Sequence, residues 1–363
     1  MPPVKGGAVQ TLLQLFCDWN EREKKHKITV FSTYNDKAVN LAKNYSHTEY
    51  CYIYGKNSIR WYPYRLVKKI MLLLSVELPS PYMFILRRTI KKQVYDIVLF
   101  ENVLCNAKWF LGKSACPVIL HLHNDYVTQK TKKYLNSFSK VIAVSKFIEN
   151  RIQSVGYAKT EVLYNGIEQG RFLIRKDYQQ KENIIVFSGR LVPEKGVKEL
   201  IDACLRIEDI KFKLMIMGKL QGKYGLELQK LAKDSDKIEF TGYIDNNKIQ
   251  DILSRTTIAV IPSLWEEPFP LSAIEFIAAG IPVIATNSGG LTELLSDDCA
   301  IFLERNAFLI ENLKNAIKNL LLDKTKREEM SKAALDRAKL FTDEIYCRNF
   351  NNILENFVNG KHI

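Results

Sequence analysis

Both halves of the 363-residue chain repeat one pattern: an apolar run of four to seven residues, then an amphipathic stretch of helical period. Runs this short, lacking polar alternation, suit strands buried on both faces, and helical patterns between them supply crossovers between parallel neighbours. The strands expected in the first half are Lys27–Ser32, Tyr50–Tyr54, Asp96–Glu101, Pro117–His123 and Val141–Ser145. Those in the second are Asn183–Ser188, Lys213–Met217, Ile238–Tyr243, Ile258–Pro262, Pro282–Asn287 and Ala300–Leu303. Helices are expected at Val197–Leu205, Gly225–Lys233 and Ser272–Ala279, with three more near 309–322, 326–340 and 343–358 closing the chain. This length suits two domains rather than one. The fold class is therefore α/β, with two Rossmann-like αβα domains at 1–168 and 169–342. The polar, aperiodic stretch Asn165–Glu182 reads as the linker.

Composition narrows the setting. No apolar run reaches the roughly 20 residues that span a bilayer, and the start Met1-Pro2-Pro3-Val4-Lys5 lacks the layout of a signal peptide. Seven cysteines lie scattered without a CxxC pair, as expected of reduced thiols in a cytoplasmic protein. Residues 1–170 hold 25 Lys/Arg against 12 Asp/Glu, whereas residues 171–363 hold 28 of each. The whole excess of +13 therefore lies in the first half, which should face something anionic unless the lysines serve only solubility. No helix-turn-helix, RNA-recognition or zinc-finger pattern supports nucleic acid as that partner.

Three segments carry chemistry. Ser263–Gly280 runs from a strand end, through a loop holding Glu267, into a helix holding Glu275. Ligands of open parallel sheets bind at the carboxyl ends of strands, and the free N–H groups of a helix start suit a phosphate. Two carboxylates beside a phosphate would repel it, so Glu267 and Glu275 are better acceptors for sugar hydroxyls; alone, Glu275 also reads as a capping or surface residue. Ile184–Gly196 is a buried strand ending at Ser188-Gly189, followed by Arg190 and Lys195. Cations there would neutralise a departing diphosphate, the alternative being two solvated surface charges. In Val118–Asp125, His121 and His123 share a strand face. No third metal ligand stands near in sequence, so no metal is expected; His123 suits a bound sugar or acceptor and His121 the core.

These motifs resemble the family 4 retaining glycosyltransferases of GT-B fold, over essentially the whole chain. The matching positions are Gly6-Gly7, His123, Val144-Ser145-Lys146, Asn165-Gly166-Ile167, Gly189-Arg190 through Lys195-Gly196, Gly218, Phe240-Thr241-Gly242, the Glu267-x7-Glu275 pair, and Ala279-Gly280 through Gly289-Gly290. The resemblance implies an acceptor-binding N-terminal domain, a donor-binding C-terminal domain, a cleft between them, and a last helix (343–363) crossing back onto the first domain. It implies that Arg190, Lys195 and the amides of Leu271 and Ser272 hold the donor diphosphate. Glu267 would bind sugar hydroxyls and Glu275 the ribose, while Gly242 and Tyr243 would lie along the base. Phe269 and Gly189 would help form the donor site, His123 would meet the sugar near its anomeric carbon, and the Gly6-Gly7 loop would close over the phosphates. No cofactor is required; the substrates are a nucleoside-diphosphate sugar, UDP-sugar favoured, and a saccharide or a polyprenyl- or lipid-linked acceptor.

Two departures stand out. Proline at 270, where the family commonly has glycine, removes an amide donor. Only five residues precede Gly6-Gly7, a loop expected to follow a strand, so either a first strand is missing from this chain or its start codon was placed late. Both favour a rival reading, a catalytically impaired relative acting as a binding or partner subunit. For the acceptor side, Trp61–Leu74 and Tyr82–Lys92 mix aromatic, apolar and basic residues. They fit either an anionic membrane surface or two core-packing helices with solvated lysines.

Overall fold

The computed structural model describes residues 1–2, 7–54, 59–73, 78, 80–90, 93–104, 116–168, 170–171, 183–244 and 246–360. Gly6 and much of the expected linker lie outside the described residues. The chain divides into two compact units, Met1–Tyr164 with Tyr346–Ile363, and Asn165–Ile345.

The first unit contains β1 (Ile28–Thr33), β2 (Thr48–Ile53), β3 (Val98–Glu101), β4 (Val118–Leu122), β5 (Lys140–Ala143) and β6 (Thr160–Val162). The short β6 was not expected: its side chains are only half-buried, and three residues give no apolar run. All the pairings are parallel. Among the described residues they do not make one sheet: β1 pairs with β2, and β3–β6 form a separate four-stranded sheet. The helix Ala8–Glu23 buries Leu12, Phe16 and Trp19. From the last helix, Asp343–Val358, Phe350 packs on Phe16 at 4.6 Å between ring centroids. Asn351 of that helix meets His26 at 2.8 Å. The helix from Tyr346 onward thus packs within the first unit.

The second unit contains β7 (Asn183–Ser188), β8 (Phe212–Met217), β9 (Ile238–Gly242), β10 (Ile258–Ile261), β11 (Val283–Thr286) and β12 (Ala300–Leu303). They form one continuous parallel sheet in the order β12-β11-β10-β7-β8-β9. Ile185, Phe187, Leu214, Ile216, Val260 and Ile284 bring it into a core with Leu200, Ile201, Leu313 and Ile317 from the flanking helices. The chain builds outward from β7 to β9 on one side, then restarts at β10 and builds to β12 on the other. The order therefore reverses between β7 and β10, and an open parallel sheet offers its ligand crevice at the carboxyl ends flanking such a switch point.

Candidate active site

The loops after β7 and β10 flank that switch point, and they carry Arg190, Lys195 and Glu267. Gly196 ends the β7 loop at φ +65°, and a Cβ there would sit 1.9 Å from the Pro262 carbonyl oxygen. Only glycine lets the two loops come this close. Lys195 reaches across it, its Nζ lying 2.6 and 2.9 Å from the two Glu267 carboxylate oxygens. The same ammonium lies over the Trp265 ring.

Glu267 is 2% exposed, and its position is fixed several times over. The Ser263 hydroxyl donates to its carboxylate. Its own N–H donates to Ser288 Oγ at 3.0 Å, and that hydroxyl donates to the Trp265 carbonyl at 2.6 Å. The Gly290 N–H donates to its carbonyl at 2.7 Å. An ionised group so buried persists only with this kind of pairing. Lys195 therefore orients Glu267 as well as offering charge. An ammonium has three N–H groups and Glu267 takes at most two, so one remains for an anion. Arg190 differs: it is exposed, and its guanidinium has no hydrogen bond or ion pair among the described residues.

The helix Leu271–Ala278 follows, with Pro270 at its N-cap and no side-chain cap. No hydrogen bond occupies the N–H groups of Leu271 and Ser272 among the described residues, and they point out of a helix start with its positive dipole end. Phe269 is 4% exposed and packs against Phe341 at 5.6 Å, while its carbonyl accepts from Asn165 Nδ2 at 2.9 Å. Its side chain belongs to the core, so Phe269 shapes the loop and offers a ligand nothing but backbone. Glu275, one turn into the helix, is half-buried rather than a cap or surface residue. Desolvation pushes its carboxyl up to about 7, with Arg171 pulling the other way. At neutral pH it is poised between acid and carboxylate. Gly242 ends β9 at φ +72° with open space around its Cα, and Tyr243 beside it is 59% exposed.

In the first unit, His123 stands just beyond β4, donating Nε2–H to Glu101 at 2.8 Å. His121 lies against the same carboxylate, 3.2 Å from it, and is fully buried. Glu101 comes from β3, whose register sets it opposite His121. Burial raises its carboxyl, but His121 and the hydrogen bonds from both rings outweigh that and hold it at about 2. Burial, reinforced by His121, pushes the His123 imidazole down to about 4 against the pull of Glu101. His123 is thus neutral at physiological pH, with Nδ1 an acceptor that has no partner among the described residues. Sequence spacing showed no third ligand near the two histidines; strand pairing supplies one, since donor atoms of Glu101, His121 and His123 lie within 4.8 Å of one another. In the structure that carboxylate is engaged by both imidazoles.

Gly7, φ +149°, precedes the helix Ala8–Glu23, and a Cβ there would meet the Gln10 side chain at 2.1 Å. The helix Tyr62–Leu73 buries none of its residues, which removes the core-packing reading for this stretch. Leu66, Val67, Ile70 and Leu73 are each at least half exposed. No helix among the described residues is long and apolar enough to cross a membrane.

The comparisons agree with this geometry. The family model described as Glycosyltransferase Family 4 matches residues 5–171, and that of Glycosyl transferases group 1 matches residues 171–337. The uncharacterized glycosyltransferase MJ1178 of Methanocaldococcus jannaschii is 32% identical over 248 residues, covering 66% of this chain and 67% of the relative. This chain belongs to the family 4, group 1 glycosyltransferases. The lipopolysaccharide 1,2-N-acetylglucosaminetransferase of Salmonella typhimurium is 22% identical over 324 residues, 82% of this chain and 83% of that one. Anabaena HepE, solved in complex with UDP and glucose, superimposes with a TM-score of 0.76 at 19% identity, over 98% of this chain and 97% of that one. The fold is GT-B, and the chain is a hexosyltransferase-type glycosyltransferase with relatives in bacterial polysaccharide and lipopolysaccharide synthesis.

Proposed function

We propose that the chain moves a sugar from a nucleoside-diphosphate sugar, UDP-sugar favoured, to a saccharide or lipid-linked acceptor with retention at the anomeric carbon. The observation that carries this reading is the Lys195–Glu267 pair beside an uncapped helix start, with Arg190 exposed and unpaired among the described residues. Arg190, the free Lys195 N–H and the Leu271 and Ser272 amides would take the diphosphate and stabilise the charge that grows as the C–O bond breaks. Glu267, held by Lys195 and Ser263, would accept sugar hydroxyls, and Glu275 the ribose. Gly242 and Tyr243 would border the base. His123, neutral and with Nδ1 free, would accept a hydroxyl of the transferred sugar. That UDP and glucose occupy the HepE complex supports the donor class.

Arg60, Arg65, Lys68 and Lys69 surround the uncovered apolar residues of the Tyr62–Leu73 helix. This is the composition of a surface helix on anionic lipid, where each cation contributes about 1 kcal/mol. It supports a polyprenyl- or lipid-linked saccharide acceptor at the inner face of a membrane, in lipopolysaccharide, capsule or related surface polysaccharide assembly.

A panel of UDP-, GDP- and dTDP-sugars, screened by thermal shift and then by donor hydrolysis, tests the donor assignment. Hydrolysis of none of them would leave the second reading, an impaired relative acting as a binding subunit, which Pro270 and the divided first sheet favour. Flotation with anionic vesicles tests the membrane contact, and failure to float removes it.

A further inference from the structure

Glu101, His121 and His123 bring three metal-ligating side chains together, and the proposed transfer asks only His123 to touch substrate. The parallel register sets Glu101 opposite His121, and a spacing of two in extended chain turns His123 to the same face. His121 Nδ1 lies 3.2 Å and His123 Nε2 2.8 Å from Glu101 Oε2, and the two ring centroids are 4.0 Å apart. A tetrahedral site with bonds of about 2.0–2.2 Å spaces neighbouring donor atoms by about 3.3 Å. The carboxylate and each imidazole are already close to that spacing, and a donor atom from each of the three lies within 4.8 Å of the other two.

The surroundings hold the group in place. Asn102, at φ +56°, accepts the His123 backbone N–H on its Oδ1 at 3.2 Å, tying the end of β3 to the turn after β4. Both rings are buried, whereas Glu101 keeps 17% of its side chain exposed and so opens the group to solvent. Two imidazoles and a carboxylate suit zinc and its first-row neighbours, while magnesium and calcium take oxygen donors.

The ring nitrogens turned away from Glu101, His121 Nε2 and His123 Nδ1, have no hydrogen-bond partner among the described residues. Which nitrogen of an imidazole carries the proton follows from the bond that its other nitrogen makes. Among the described residues Glu101 alone holds the His123 proton on Nε2. A dication beside Glu101 would take the lone pairs of His121 Nδ1 and His123 Nε2, and the His123 proton would pass to Nδ1.

We propose that Glu101, His121 and His123 form a binding site for Zn²⁺ or a like first-row dication, and that filling it turns His123 Nδ1 from acceptor into donor. The site stands on the geometry of β3 and β4. Its consequence rests on the proposed function, in which that nitrogen accepts a hydroxyl of the transferred sugar. A filled site therefore opposes transfer, and the metal acts as a brake rather than a cofactor.

The test titrates metal-stripped protein with Co²⁺, whose visible bands report four-coordinate binding, and then with Zn²⁺. One equivalent of Co²⁺ should give those bands without a thiolate charge-transfer band, and Zn²⁺ should bleach them. In the unsubstituted protein Zn²⁺ should shift the ring signals of two of the five histidines, His121 and His123. Glu101→Gln and His121→Asn each keep a hydrogen-bonding group in place. Both should weaken Co²⁺ binding at least about tenfold, the loss that even an outer partner of a ligand causes. Zn²⁺ should lower donor hydrolysis by the unsubstituted protein and leave that of His121→Asn at its own zinc-free rate. Absent Co²⁺ bands, thiolate coordination, ring shifts at His26 or His47 instead, or unweakened binding in both variants would overturn the site. Binding with undiminished hydrolysis would overturn the role given to His123 Nδ1. A protein that hydrolyses no donor sugar at all would count against the proposed function alone, because the bands and ring signals decide the site without it.

Discussion

The two units are built from the same parts and finished differently. The second unit has six strands in one sheet, and its chemistry clusters at the carboxyl ends flanking the strand-order reversal. The first has its strands in groups of two and four, and its cluster of Glu101 with His121 and His123 sits where β3 and β4 pair. A site needs supports that are themselves fixed. Glu267 is held by Ser263, Lys195, Ser288 and Gly290, all from elements anchored in an unbroken sheet. Among the described residues Glu101 is held from the β4 side, and its own strand has no strand neighbour on the other. The asymmetry is the ground for proposing that the second unit handles the charge.

The sharpest way to break that assignment is Arg190→Ala. With no side-chain hydrogen bond or ion pair among the described residues to lose, it should cost about 10²–10³ in turnover while leaving Tm unchanged. Full activity in the variant would remove charge handling from this unit. Lys195→Ala should lower both, because it leaves a carboxylate buried and unpaired at a cost of about 3–5 kcal/mol. Adding Glu267→Gln should restore most of the Tm and none of the turnover. Recovery of turnover in the double variant would mean that the pair serves folding alone.

Glu275 sharpens the comparison through pH. Its folded value, about 7, lies above the ordinary 4.5. The folded state therefore holds the extra proton, and stability falls as pH rises from about 4.5 to about 7 and stays lowered above. Glu275→Gln should therefore raise Tm at pH 8, by up to about 3 kcal/mol in stability, and change little at pH 4.5. A variant that gains nothing at pH 8 would mean that the carboxyl is not desolvated.

In the first unit the smallest effect is expected. Glu101→Gln should raise KM more than it lowers kcat, because it loosens the orientation of His123 without removing it. A change confined to Tm would make the cluster structural.

Much of the second unit was legible in sequence because its central strands are buried on both faces; Asn183–Ser188 and the edge strand Ala300–Leu303 match residue for residue, and the others differ by one residue at one end or both. Arg190, Lys195, Glu267 and the helix start could be named because they sit at strand ends, where apolar runs stop abruptly. Their internal wiring could not. The pairing of Lys195 with Glu267 spans 72 residues and depends on β7 and β10 being neighbours, which no local pattern encodes. Ser288 escaped notice because a lone serine carries no periodicity. Glu101 escaped because its relation to the histidines lies in strand register, although the expected strand ended on it. The division of the first unit's strands into groups of two and four was not legible, because strand pairing across long connections leaves no local pattern.

The Lys195–Glu267 pair also governs which anions this pocket can keep. A lone ammonium would trap any small phosphate that diffused in. Here the cation already has a counter-ion that is 2% exposed, so a bare anion gains little and drives an uncompensated carboxylate to stay buried beside it. Only a molecule presenting oxygens to Lys195 and hydroxyl protons to Glu267 at once leaves both better solvated than before. On the proposed donor reading, free orthophosphate should therefore compete poorly with a nucleoside-diphosphate sugar at this pair.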